Sequence, residues 1–302
     1  MQQNDKEKAA IMNSPAIAPQ AAPNSSGTEP PRLKAPANSA DCHIHIYDPR
    51  FQPPVTTPSN ATVQDYRLLQ KRIGVTRAVI VTPRNYGTDN SVTLDAIRQL
   101  EPNARGVAVI RPSVTDAELR NLDEGGIRGI RFTVSGTDAV VTIDMIEPLA
   151  KRVAGLGWHV QLNIPAQEIV DGADMLLRLP TPIVIDHMGK LPLPAGIGHP
   201  AYGVIRRLID RGNTWVKVSG AYSNTKIGPP TYADATILAR SYIQAAPERM
   251  VWGSNWPHPS RKEPPDDALL FDLLAEWAPD EATLRRILVT NPEALYGFAK
   301  SV

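Results

Sequence analysis

Residues 40–46 read Ala-Asp-Cys-His-Ile-His-Ile. This short run holds two histidines two positions apart, and a strand has a side-chain period of two, so both rings leave the same face. Runs of the same kind recur at Arg77–Val81, Arg105–Ile110, Gly126–Phe132, Trp158–Asn163, Pro182–Asp186, Thr214–Val218 and Met250–Gly253. Between them stand longer stretches with helical spacing: Val63–Ile73, Ser91–Leu100, Asp116–Leu122, Ile143–Leu156, Ala166–Leu179, Tyr202–Asp210, Tyr232–Ala245 and Asp267–Trp277. A last helix starts after Thr290, with Asn291 as its N-cap and Pro292 at its first position. Alternation of this kind marks βα units. Eight units in succession predict an α/β chain folded as one (β/α)8 TIM barrel over 40–302. A doubly wound sheet would use fewer units and usually a Gly-rich loop after the first strand. Neither GxGxxG nor GxxxxGK[ST] occurs.

Residues 1–39 differ from the rest. Pro15, Pro19, Pro23, Pro30, Pro31 and Pro36 are spread through Ala, Ser, Asn and Gln. With little apolar surface to bury, the reading is a disordered Pro/Ala-rich tail. The opening MQQNDKEKAA has mixed charge, and IMNSPAIAP is too broken for the apolar core of a secretory signal, so a cytoplasmic protein is expected. Thirty-two Lys and Arg oppose 31 Asp and Glu, which excludes the concentrated positive field of a nucleic-acid-coating surface. No apolar run approaches the ~18 residues of a membrane helix. The single cysteine, Cys42, excludes an intrachain disulfide and a multi-cysteine zinc site.

The chemistry of a TIM barrel sits at the C-terminal ends of its strands. His43 and His45 end the first run, and there they can hold a metal or donate to a substrate carbonyl or carboxylate. His187 ends the sixth and faces the mouth, with Asp186 as an orienting neighbour. His159 starts the fifth run, so packing at the bottom is expected of it, and His199 has no compelling role. His258 follows the eighth run closely and could line the mouth. Arg84, Arg111, Arg128 and Arg131 come from the ends of runs two to four. Each alone could be a surface ion pair, but several at one mouth suit a carboxylate-bearing substrate. The choice between Arg128 and Arg131 turns on which way the fourth strand faces. Gln161 and Asn163 add amides, and Lys217 and Tyr222 are weaker candidates. Where an acid could ligate metal or activate water after the eighth run, the residue is Asn255. A neutral amide is neither a carboxylate base nor a good ligand, so no catalytic metal is expected.

Seven motifs run in order across nearly the whole barrel: DCHIHIYDPRF at 41–51, YGTDNSV at 86–92, GIRGIRF at 126–132, VIDHMGK at 184–190, KVSGAYS at 217–223, VWGSNWPHP at 251–259 and NPEALYGF at 291–298. In these the chain resembles the amidohydrolase superfamily, in the branch of 2-pyrone-4,6-dicarboxylate hydrolase and the sugar lactonases, with D-galactarolactone isomerases the nearest group. The resemblance implies an amidohydrolase-like barrel that acts on a small anionic lactone without metal or other cofactor. It implies catalytic roles for His43, His45, His187 and Asn255. Arg84, Arg128, Arg131, Gln161, Asn163, Tyr222 and His258 would bind substrate. Lactonases of the branch usually carry Asp where this chain has Asn255. That difference favours an isomerase interconverting the 1,5- and 1,4-lactones of a sugar diacid, in which a tethered hydroxyl replaces water. The alternatives are a lactone hydrolase of the same branch and a lactone-binding protein without turnover.

Overall fold

A computed structural model describes residues 21–51, 60–134, 139–259, 261–278 and 280–301. Eight parallel strands pair in chain order: β1 (Ala40–Ile44), β2 (Arg77–Val81), β3 (Ala104–Ala108), β4 (Ile127–Thr133), β5 (His159–Asn163), β6 (Ile183–Ile185), β7 (Thr214–Val218) and β8 (Met250–Trp252). The sheet closes where Ile44 bridges Trp256, the His45 N–H donates to Trp256 O, and the Asn255 N–H donates to His43 O. Gly253 permits this seam, because a Cβ there would lie 2.7 Å from His43 Cβ. The α-helices around the sheet are α1 (Val63–Ile73), α2 (Ser91–Leu100), α3 (Asp116–Glu124), α4 (Ile146–Val153), α5 (Ala166–Asp171), α6 (Ala173–Arg178), α7 (Pro200–Asp210), α8 (Ala233–Ala245), α9 (Asp267–Trp277), α10 (Glu281–Arg285) and α11 (Asn291–Tyr296). The main apolar core lies between strands and helices, and a second cluster of Val79, Val81, Val107 and Val251 fills the floor over Tyr296 and Phe298.

Local chemistry explains the boundaries. Reciprocal capping boxes, Thr62 with Asp65 and Thr115 with Glu118, start α1 and α3. His199 caps α7 by accepting from the Ala201 N–H. The stretch expected as one helix over 166–179 breaks at Gly172 into α5 and α6. Asn291 is not a cap. It lies inside α11, and its Nδ2 donates to Pro247 O and Met250 O, tying the helix to the start of β8.

The expected boundary of the tail needs correction. Residues 1–20 lie outside the described residues, but 21–39 pack on the barrel. Ala22 is buried. The fully buried Arg72 guanidinium donates to Ser25 Oγ, Ser26 O and Glu29 O and pairs with Asp266 at 2.6 Å. The Trp256 indole donates to Pro23 O at 2.7 Å. Polar anchoring to backbone carbonyls orders a segment that has little apolar surface of its own.

Candidate active site

The strand ends build the site around one buried carboxylate. Asp186, just past β6, accepts from Arg131 Nε of β4 at 3.0 Å and from Gln161 Nε2 of β5 at 3.1 Å, both at Oδ2. Lys217 of β7 sends its ammonium to Cys42 O and Gln161 Oε1, each at 2.8 Å, and to His43 Nδ1 at 3.1 Å. Asp186 Oδ1 lies 3.3 Å from His43 Nδ1 and 3.5 Å from Lys217 Nζ, yet neither meets it with hydrogen-bond geometry. Burial pushes the Asp186 carboxyl up. The Lys217 and Arg131 cations outweigh that and hold it well below the usual carboxylate range. Burial lowers the Lys217 ammonium to about 8.

The tautomers follow from these partners. His45 Nδ1 faces Val81 O at 2.8 Å and must donate to it, which leaves His45 Nε2 as an acceptor. His43 Nε2 is 3.2 Å away and supplies the hydrogen between them. His43 Nδ1 then accepts from Lys217. The direction of donation therefore runs from Lys217 through His43 and His45 to the backbone of β2. Burial, reinforced by Lys217 for His43 and by Arg131 for His45, lowers both rings, His45 to about 3. Strict alternation would put Asp41 on the same face as His43. A register shift between Asp41 and Ile44 separates them instead. Asp41 turns to Tyr66 of α1 and to Ser254, while His43 turns inward.

His187 differs from the other two rings. Its Nδ1 meets Ser219 Oγ at 2.9 Å, and Nε2 makes no hydrogen bond among the described residues. Burial holds it neutral as well, well below the ordinary histidine value. His187, Met188 and Lys190 all sit at positive φ, at 49°, 56° and 48°. Such residues cost about 1–3 kcal/mol each and persist only where surrounding contacts fix them. The turn places Lys190 where burial, then Arg131, lowers its ammonium, and it has no ion-pair partner among the described residues.

Several expected site residues come together here: His43, His45, His187, Arg131, Gln161 and, on the closing seam, Asn255. Arg84 shares a small cavity with Arg131, Thr82 and Thr133. Asn163, at the end of β5, has a buried Oδ1 with no hydrogen-bond partner among the described residues. Arg128 is a correction. It lies on the opposite face of β4 from Arg131, at the N-terminal end, and donates to Asp123 and Ile127 O beside α3. Arg111 is exposed and bonds Val140 O. Tyr222 and His258, expected at the substrate, bond each other at 2.8 Å. Tyr222 also accepts from Asn255 Nδ2, and His258 Nε2 donates to Asp267 Oδ2 of α9. His159 packs against Tyr296 on the floor, where Gly129 leaves it room.

Lys190 had no place in the sequence reading, and Lys217 only a weak one. The signal available was a lysine beside a strand end, at Lys217 within β7 and at Lys190 three positions past His187.

Among the described residues, His43, Asp186 and His187 offer three ligand atoms within 4.8 Å of one another. The set does not fit a divalent ion. Asp186 already carries Arg131 on one oxygen and faces the Lys217 ammonium with the other, and His43 Nδ1 accepts from that ammonium. A metal held there would stand within a few ångström of two cations, each repelling it by several kcal/mol at an effective dielectric of about 20. The nearby loop after β8 adds Asn255 rather than a carboxylate.

Comparison with known proteins adds relatives. Residues 40–298 match the family model described as Amidohydrolase. A 2-pyrone-4,6-dicarboxylate hydrolase of Comamonas testosteroni is 33% identical over 281 residues, covering 88% of this chain and 92% of that protein. A D-galactarolactone isomerase of Agrobacterium fabrum is 32% identical over 90% of this chain and 94% of its own length. A solved structure from Agrobacterium tumefaciens, 31% identical, superposes with a TM-score of 0.82 over 90% of this chain and 100% of that one. No helix among the described residues is long and apolar enough to cross a membrane.

Proposed function

The chain belongs to the amidohydrolase family, and from that premise we propose that it opens small anionic lactones at the ring carbonyl without a metal ion. One observation carries the reading. Asp186 holds Arg131 through Nε, and both terminal nitrogens of the guanidinium make no hydrogen bond among the described residues. They are a fork for a carboxylate at the same strand ends as a neutral His187, whose Nε2 also makes no hydrogen bond among the described residues. In this reading His187 Nε2–H donates to the carbonyl oxygen as negative charge develops there. The Lys217–His43–His45 row fixes the neighbouring rings and adds positive potential beneath the same oxygen. An incoming hydroxyl oxygen bonds the carbonyl carbon, the ring C–O bond breaks, and the proton of the attacking group ends on the departing ring oxygen. A neutral histidine can carry that proton.

Ring opening by water is the outcome supported by the hydrolase relatives. Asn255 favours a second reading, because it supplies no carboxylate base for water. A hydroxyl of the substrate would then attack, giving 1,5- to 1,4-lactone rearrangement, the reaction type of the isomerase relative. A cytoplasmic, metal-independent enzyme of sugar-acid metabolism is the setting we propose.

The test is a proton NMR time course of metal-free protein with D-galactaro-1,5-lactone and with 2-pyrone-4,6-dicarboxylate, beside the spontaneous reactions. Enzyme-dependent open acid supports hydrolysis, and 1,4-lactone without extra acid supports isomerisation. Binding with an unchanged ligand would leave only a lactone-binding protein. Loss of turnover on chelation, restored by zinc, would overturn the metal-free reading.

A further inference from the structure

Behind the rim, four side chains form an unbroken hydrogen-bonded row from the site into the protein. Asn255 Nδ2 is 2.8 Å from Tyr222 Oη, Tyr222 Oη is 2.8 Å from His258 Nδ1, and His258 Nε2 is 3.1 Å from Asp267 Oδ2. All four are buried, Asn255 the least so at 7% exposure. Arg261 clamps the tyrosine from outside, donating to Tyr222 O while its guanidinium stands over the ring.

One hydrogen on the His258 ring sets the direction of the row, and a second one, on Nδ1, would reverse it. A carboxylate accepts, so His258 Nε2–H donates to Asp267. With the ring's single hydrogen on Nε2, Nδ1 accepts from the Tyr222 O–H 2.8 Å away. The phenol has no other acceptor among the described residues, and burial keeps it protonated by raising it far above the ordinary tyrosine value. The tyrosine oxygen is then an acceptor, and an amide nitrogen can only donate. In this direction the row matches the orientation of the Asn255 amide. Nδ2 faces Tyr222, and Oδ1, which makes no hydrogen bond among the described residues, faces away from it.

We infer that Tyr222, His258 and Asp267 are positioning residues that fix the Asn255 amide with its carbonyl oxygen turned to the reacting hydroxyl. An acceptor at that point takes the hydrogen of the attacking O–H and leaves the oxygen lone pair aimed at the lactone carbonyl. A flipped amide would donate to that lone pair and block it. The function of Oδ1 rests on the lactone reading above, but the direction of the row does not.

Two measurements test this on the full chain. Nitrogen-15 NMR of labelled histidine in the wild-type protein should show His258 neutral with its hydrogen on Nε2. A hydrogen on Nδ1, in either the neutral or the charged ring, would overturn the assignment. This readout needs no substrate, so it stands even if no lactone is turned over, the result that would sink the functional reading instead. With a lactone that is turned over, Tyr222→Phe frees the amide and should lower kcat about 100-fold, the scale of a small misplacement of a reacting group, with KM within about threefold. Asn255→Ala should lose a similar factor, and the double variant should be no slower than Asn255→Ala alone. If the Tyr222→Phe loss persists undiminished in the Asn255→Ala background, or does not occur at all, the tyrosine does not act through Asn255.

Discussion

Replacing Asn255 by Asp puts a carboxylate where the chain has an amide, and the surroundings set its strength as a base. Asp41, a few residues away across the β1–β8 seam, is the internal standard. Burial raises its carboxyl to about 6, even though Ser254 and His43 donate to it. Asn255 is almost as buried, and its side chain has one hydrogen-bond partner among the described residues, Tyr222. Burial should therefore raise the introduced acid above the ordinary aspartate value as well, toward the optimum for a general base at neutral pH. A positioned base contributes roughly 10²–10⁴ in rate. Against this, Tyr222 must now donate to the new carboxylate, and His258 Nδ1 loses its donor, which costs about 1–3 kcal/mol. The net expectation is a gain on the order of 10- to 100-fold in attack by water, with the hydrolysis rate rising with pH as the carboxylate ionises. Rearrangement should not accelerate. The assay is the NMR time course, following open acid and rearranged lactone separately after subtraction of the spontaneous rates. An unchanged ratio of acid to rearranged lactone above pH 7, in a folded variant, would refute the view that the missing carboxylate limits attack by water.

The other predictions read the cations and the N-terminal segment. Arg131→Lys keeps the charge but loses the planar fork, so kcat/KM for a carboxylated lactone should fall about 10- to 100-fold, while a neutral lactone is spared. Equal losses on both would place Arg131 outside substrate binding. The Lys217 ammonium is lowered to about 8, and the neutral amine has two hydrogens for three acceptors and no charge, so kcat/KM should decline as pH rises through about 8. In Lys217→Met that alkaline limb should vanish along with most activity. Calorimetry should also show a loss of about 3–5 kcal/mol, because Asp186 and three acceptors lose a buried cation. Deleting residues 1–39 should cost about 3–5 kcal/mol and lower the melting temperature by roughly 10 °C, as Arg72 and Trp256 lose their partners. An unchanged melting temperature would return this segment to the status of a tail.

The barrel was legible because each strand of a parallel sheet is buried on both faces and reads as a short apolar run, and the stretches between them carry helical spacing. The two histidines of β1, the histidine after β6 and Asn255 were legible because strand ends are where barrel chemistry sits. What the sequence hid depends on phase and on tertiary partners. Arg128 and Arg131 differ by three positions, so one faces inward and the other outward, and nothing in the string fixes which until β4 is seated. Tyr222 and His258 look like substrate ligands until Asp267, on a helix nine residues further on, satisfies His258. Lys217 looks structural or surface-bound until the backbone of β1 and the amide of β5 converge on it. Residues 21–39 read as a tail because their order comes from polar groups elsewhere in the chain, and hydropathy does not register those.

The order of residues 21–39 bears on the chemistry. Asn255 sits at φ 65°, a conformation that costs an asparagine of order 1–3 kcal/mol and that only its surroundings can hold. On one side Ser254 is bound by Asp41, through both its backbone N–H and its hydroxyl, to the first strand. On the other, Trp256 donates through its backbone to Ser254 Oγ and through its indole to Pro23 O. Ser25 accepts from the Asp267 N–H, so the same N-terminal segment also braces the far end of the row that orients the amide. The segment thus touches both supports of one strained residue. Its loss should therefore lower kcat as well as the melting temperature. The decrease should be largest for reactions that depend on Asn255 and absent in the Asn255→Ala background, a pattern that general destabilisation would not produce.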